Sequence, residues 1–255
     1  MKILMLGDIV SNIGCEHVRK ILPDLKRKEN INFCIANGEN SAAGNGITPY
    51  SAQFLFDSGI DVITTGNHVY RRKEIYDYLD ERSDIVRPAN YYENNPGRGY
   101  SVTDMGRLKI GVINLAGNFS MDSVDNPFRT IEKVLEKVKD CKIKIVDFHA
   151  ETTSEKRAMG FFLDGKVTCV YGTHTHVQTA DEQILPNGTA YITDAGMCGV
   201  RDSVLGVDKN IIVKKFIDGM PAFFNAADGE CMINGIIIET DDATGKAVSV
   251  KRVNF

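Results

Sequence analysis

Short apolar runs rich in Val and Ile recur along the chain, and most of them end in Gly, Asn, Asp or His. By length and β-branched content these runs read as buried strands: KILMLGDI (2–9), INFCIAN (31–37), DVITTGN (61–67), KIGVINLAG (109–117), KIKIVDFHA (142–150), VTCVYGTH (167–174) and TAYITDAG (189–196). Between them, Glu16–Lys28, Pro49–Ser58, Lys73–Arg82, Pro127–Lys139 and Glu155–Leu163 have helical composition. The fourth is the clearest, with Asn126 as N-cap, Pro127 in the first turn and Ile131, Val134, Leu135 and Val138 on one face. Pro23 is expected to start a new turn or kink the first of them. Two stretches read as hairpins, one turning near Met105–Arg107 and one at Asp242–Gly245. Strand–helix alternation followed by hairpins predicts an α/β protein with mixed sheets. No linker-like composition or repeat divides residues 1–255, so one domain is expected.

Composition narrows the function classes. A net charge of −4 offers no general attraction to nucleic acid or anionic lipid, so no stable nucleic-acid binding is expected. No apolar run approaches the roughly 20 residues a membrane-spanning helix needs. The N-terminus lacks the pattern of a secretory signal, and the six cysteines are scattered without a CxxC pair. They read as buried thiols of a reducing compartment, which predicts a cytoplasmic protein. Composition is silent on a homo-oligomer.

The candidate chemistry lies at the strand ends. Asp8 follows Gly7, Glu39 and Asn40 lie in NGEN, Asn67 and His68 in GNH, His149 in FHAE, and His174 and His176 in GTHTH. Ligands bind at strand ends in α/β sheets, so these loops are expected to converge. Each residue alone has a plainer reading. Asp8 would serve as an N-cap, GENSAAGNG as a polar turn, and His149 as a core histidine. The two histidines of GTHTH would sit on an edge strand. Their coincidence at one end of the predicted sheets favours a site. Carboxylate, amide and imidazole donors without Cys suit divalent Mn, Fe or Zn. If residues 174–176 are extended, both imidazoles face one side. Seven candidate ligands favour two ions, a recurrent device in phosphoester hydrolysis.

The ordered motifs GD (7–8), GEN (38–40), GNH (66–68), His149 and GTHTH (172–176) resemble the calcineurin-like metallophosphoesterase superfamily. GTHTHVQTAD and TDAGMCGVRDSVLG are similar to its bacterial 2′,3′-cyclic-nucleotide 2′-phosphodiesterase branch. Two departures accompany the resemblance. Val10 stands where the superfamily has a His, and Glu39 stands where it has an Asp; both fit that branch, and Asn40 can replace the missing imidazole. The resemblance implies a four-layer α/β/β/α sandwich of two mixed β-sheets flanked by helices. It implies two divalent metal ions, Fe or Mn ahead of Zn. Asp8, Glu39, Asn40 and His176 would hold one ion, and Glu39 would bridge to a second held by Asn67, His149 and His174.

The activity so implied is hydrolysis of 2′,3′-cyclic and also 3′,5′-cyclic nucleotides by a hydroxide shared between the ions, with His68 as general acid. Tyr91, Tyr92 and Phe119 are candidates for packing the base. The alternatives are a phosphomonoesterase or phosphoprotein phosphatase with the same metals, and a non-catalytic metal-bound scaffold. The intact GNH motif argues against the scaffold, which has no use for His68.

Overall fold

The computed structural model describes residues 1–122 and 124–255. The elements run β1 (Lys2–Val10), α1 (Ser11–Glu29), β2 (Phe33–Asn40), α2 (Pro49–Asp57), β3 (Val62–Thr64), α3 (Ile75–Glu81), β4 (Ile85–Val86), β5 (Tyr100–Asp104) and β6 (Lys109–Ala116). They continue with α4 (Pro127–Lys137), β7 (Ile143–His149), α5 (Thr153–Leu163), β8 (Cys169–Thr173), β9 (Gln183–Ile184) and β10 (Ala190–Ile192). The chain ends with β11 (Met197–Val200), α6 (Lys209–Asp218), β12 (Cys231–Thr240) and β13 (Ala247–Asn254).

Two mixed sheets result. One is ordered β13-β12-β11-β1-β2-β3-β4, the other β5-β6-β7-β8-β10-β9. Strand alternation sorts their side chains into layers. Ile3, Met5, Phe33 and Ile35 of the first sheet face Val112, Ile145, Cys169 and Tyr171 of the second in one buried cluster. The intervening Leu4, Leu6, Cys34 and Ala36 turn outward onto Val18 and Leu22 of α1 and Leu55 of α2. On the far side, Val146 and Phe148 pack against Ile131 and Val134 of α4 and Met159 of α5. This is the expected α/β/β/α order. No helix among the described residues is long and apolar enough to cross a membrane.

Several boundaries differ from the sequence-based ones, for local reasons. Helix α1 starts at Ser11, with Val10 as N-cap and no side-chain capping bond, so Asp8 is not a cap. Pro23 sits inside α1 without ending it. The run 189–196 is not one strand. It leaves the second sheet after Ile192 and enters the first at Met197, turning at Gly196 with φ of 85°. Helix α6 lacks a strong apolar face and buries only Ile212, which is why the pattern passed over it. Both predicted hairpins are present as β5–β6 and β12–β13.

Candidate metal centre

Five strand ends bring the polar residues together. Asp8 and Glu39–Asn40 end β1 and β2, and Asn67–His68 follow β3. His149 ends β7, and His174 and His176 follow β8. The first three strands run parallel in one sheet and the last two in the other, so the residues gather where both C-terminal edges meet.

Glu39, 1% exposed, is the hub. Its Oε2 accepts from the His68 backbone N–H at 2.9 Å, and its Oε1 lies 3.2 Å from His149 Nε2 and 3.2 Å from His68 Nδ1. His149 Nε2 is also 3.0 Å from Asn67 Oδ1 and 3.1 Å from His174 Nδ1. On the other flank, His176 Nε2 is 3.6 Å from Asp8 Oδ1 and 3.4 Å from Asn40 Nδ2. Asn40 Oδ1 lies 2.8 Å from His68 Nδ1. All eight residues singled out in the sequence therefore occupy one constellation.

The two histidines of GTHTH reach it by a different route from the one expected. Residues 174–176 are not extended. His174 and His176 both take positive φ, 97° and 62°, in the loop after Thr173. Such backbone costs on the order of 1–3 kcal/mol per residue, and persists where neighbours impose it. Asp194 imposes it here. Its carboxylate accepts from the Thr175 N–H at 3.2 Å and the Thr175 hydroxyl at 2.8 Å, while Asp8 Oδ2 accepts from the His174 N–H at 3.0 Å. Asp194 in turn receives Lys156 Nζ at 2.6 Å.

Each histidine has a partner that orients it. His149 Nδ1 lies 2.8 Å from Thr173 Oγ1, whose own proton goes to Asp147 Oδ1 at 2.7 Å. His149 must then donate from Nδ1, which turns Nε2 toward Glu39 and Asn67. His176 Nδ1 donates to the Leu205 carbonyl at 3.0 Å, and His174 Nε2 lies 3.0 Å from Glu151 Oε2. Gly66 permits the close approach: a Cβ there would stand 2.3 Å from His149 Nε2 and 2.5 Å from Glu39 Oε2.

Charge is balanced unevenly. Burial raises the Asp8 pKa, only partly countered by His176 and His149. Burial also works to raise Glu39, but His149 and His68 hold it well below the usual carboxylate range. Burial depresses His149, yet Glu39, Asp8 and Asp147 lift it to about 9. Burial, with His149 beside it, lowers His174 to about 3, and burial pushes Asp147 up to about 6.

The residues fit divalent cations. Donor atoms of Glu39, His149 and His174 lie within 4.8 Å of one another. Asp8 Oδ1 is buried and has no hydrogen-bond partner among the described residues, a costly state that a cation would relieve. Oxygen and imidazole donors without thiolate are those of Mn, Fe or Zn sites. The constellation opens into a cavity of about 410 Å³ lined also by Val10, Leu205, Val207 and Phe224. Tyr91, Tyr92 and Phe119 do not line it: Tyr91 packs on Tyr70, and the other two are exposed elsewhere. The orienting residues went unrecognised in the sequence: Glu151, Thr173 and Asp194 lie within FHAE, GTHTH and TDAGMCGVRDSVLG without a role assigned to them, and Asp147 and Lys156 belong to no motif. Only Asp194, a lone carboxylate at the end of an apolar run, carried a signal.

The chain is 44% identical over 254 residues to the 2′,3′-cyclic-nucleotide 2′-phosphodiesterase of Bacillus subtilis (strain 168), covering 99% of this chain and 96% of the relative. The crystal structure of a hypothetical protein from Thermus thermophilus superposes with a TM-score of 0.94 at 35% identity, over 100% of this chain and 99% of that one. A novel phosphatase from Mycoplasma pneumoniae matches with a TM-score of 0.94 at 36% identity, covering 100% and 93%. A putative 5′-nucleotidase from Staphylococcus aureus shares the fold at 16% identity and a TM-score of 0.60, over 99% of this chain and 54% of that one. The model of the YmdB-like protein family matches residues 4–253, and the chain belongs to that family, with the two-sheet fold its calcineurin-like motifs implied.

Proposed function

We propose that residues 1–255 form one catalytic unit, a dimetal phosphodiesterase that hydrolyses 2′,3′-cyclic nucleotides and, secondarily, 3′,5′-cyclic ones. The carrying observation is the unpartnered, buried Asp8 Oδ1 inside a ring of imidazole, amide and carboxylate donors. Asp8, Glu39, Asn40 and His176 would hold one ion, and Asn67, His149 and His174 the other, with Glu39 available to both. Fe or Mn suits this oxygen-rich set better than Zn. When bound, the ions supply charge for the phosphoryl oxygens and a water of lowered pKa. The substrate class is supported by the name of the Bacillus subtilis relative. Six free thiols, five of them buried, support a reducing, cytoplasmic setting.

The side chains divide the remaining work. His68 is held through Nδ1 by Asn40 Oδ1 and Glu39 Oε1, which leaves Nε2 for the cavity it lines. In its imidazolium form, with Nδ1–H kept on those two acceptors, it gives the Nε2 proton to the departing 2′-oxygen as water adds to phosphorus and the P–O2′ bond breaks, leaving a 3′-phosphate. Thr173, Leu205 and Glu151 keep the three ligand imidazoles turned inward.

The test is turnover of 2′,3′-cyclic AMP, 3′,5′-cyclic AMP and a phosphopeptide, side by side, with Mn(II) or Fe(II). Fastest turnover of 2′,3′-cyclic AMP, to 3′-AMP, is expected. Preferential phosphopeptide hydrolysis would favour a phosphatase, and no turnover at all a scaffold.

A further inference from the structure

The cavity lining changes character from one part to another. Glu39, Asn40, His68, His174 and His176 make it polar, whereas Val10, Leu205, Val207 and Phe224 make it apolar. Most of the apolar part comes from two segments that flank α6 in sequence and are tied to each other. Asp208 N donates to the Asn225 carbonyl at 3.0 Å, Ala227 N donates to the Gly206 carbonyl at 2.9 Å, and Val207 bridges to Ala226. Phe224 is thus fixed through its neighbours although its side chain is 50% exposed. The same strap carries the Leu205 carbonyl that orients His176. One short piece of chain therefore sets both a ligand imidazole and the apolar wall beside it.

An exposed aromatic ring next to a phosphoester-binding cluster calls for a flat partner. Lys215 Nζ lies 4.7 Å from the Phe224 ring centroid, a cation–π contact that steadies the ring without enclosing it. A 2′,3′-cyclic nucleotide delivers such a partner. Its phosphodiester is fused to the ribose, and the base hangs from the same sugar ring within a few bonds of the phosphorus. A cavity of about 410 Å³ lies in the range of ligand sites, and a base stacks on any aromatic face without requiring hydrogen-bond readout. Resting on the phosphodiesterase reading, we infer that Phe224 is the base-stacking platform of the substrate site, beside Leu205 and Val207. Phe224 acts here as a specificity residue and takes no part in bond cleavage.

The test compares 2′,3′-cyclic AMP with a base-free analogue, methyl β-ribofuranoside 2,3-cyclic phosphate, in Mn(II)-loaded protein. In Phe224→Ala the kcat/KM ratio of the nucleotide to the base-free substrate should fall about 5–150-fold, the range that stacking one base supplies, mostly through KM. Phe224→Tyr should restore the ratio. The chain contains no Trp, so Phe224→Trp provides a single tryptophan that can be excited selectively over the nine tyrosines. Its emission should be quenched by 3′-AMP and not by inorganic phosphate. A ratio unchanged within twofold in Phe224→Ala overturns the inference while leaving the phosphodiesterase reading intact. If the wild-type protein hydrolyses neither substrate, that reading fails. The fluorescence titration then decides the subsite by itself, and absence of quenching by 3′-AMP overturns it.

Discussion

Lys156 and Asp194 form an ion pair of 2.6 Å in which each side chain is 1% exposed, directly beneath the loop that presents His174 and His176. Asp194 also accepts from Thr175 and from the Gly196 N–H at 2.8 Å, so one carboxylate holds both the loop and the crossing between the two sheets. Removing Lys156 would leave a buried charge uncompensated. Lys156→Met should cost on the order of 3–5 kcal/mol of stability, read as a lowered midpoint in urea unfolding. An unchanged midpoint would mean the pair is dispensable to the fold.

Thr173 acts on the metal centre through His149. Thr173→Val removes the acceptor of His149 Nδ1–H and frees the ring to turn or change tautomer. Metal affinity should drop about 10–100-fold, as for other partners of ligand imidazoles. Thr173→Ser retains the hydroxyl and should restore affinity. Titration of Mn(II) into metal-free protein measures both, and equal affinity in the Val variant would rule out the relay.

His68 and the ligands should separate cleanly. His68→Ala should lose roughly 10²–10⁴-fold in turnover while keeping its metal, because its Nδ1 contacts Glu39 and Asn40 and its role is proton transfer. Asn67→Ala or His149→Ala should instead lose one ion. Elemental analysis alongside kinetics distinguishes the two; metal loss in His68→Ala would assign it to the ligand set.

Proton competition gives the metal site a pH dependence of definite sign. In the metal-free protein His149 is lifted to about 9, chiefly by Glu39 against the opposing effect of burial, so it is protonated at neutral pH. Binding requires the neutral ring, so loading releases a proton and apparent affinity rises with pH until about 9. The raised pKa has the reverse effect on the metal-free fold. Its stabilisation is complete below 6.5 and is lost as pH rises toward about 9. Calorimetry of Mn(II) binding in buffers of different ionisation enthalpy counts the protons, and an affinity independent of pH below about 8 would contradict the assignment.

What was legible in the sequence was whatever short-range pattern encodes. The runs at 2–9, 31–37 and 142–150 announced strands, and the polar residue ending each announced a site, because burial and strand-end geometry act on neighbouring positions. The crossing between sheets at 193–196 was not legible, since an apolar run looks alike whichever sheet receives it. Nor were the left-handed His174 and His176, which extended spacing would have aimed alike but which are bent inward by Asp194, eighteen or more residues away in the chain. Thr173 and Leu205 lie inside GTHTH and TDAGMCGVRDSVLG, yet like Lys156 and Phe224 they act through tertiary contacts that no local pattern reveals. Tyr91, Tyr92 and Phe119 show the reverse: aromatic and in loops, yet not part of the cavity lining.

The central claim is that two ions share Glu39. Anomalous diffraction from crystals grown with Mn(II) tests it most directly. The expected result is two peaks about 3.5–4 Å apart, with the Glu39 carboxylate touching both, Asp8, Asn40 and His176 on one, and Asn67, His149 and His174 on the other. A single peak, or two peaks without Glu39 between them, would contradict it.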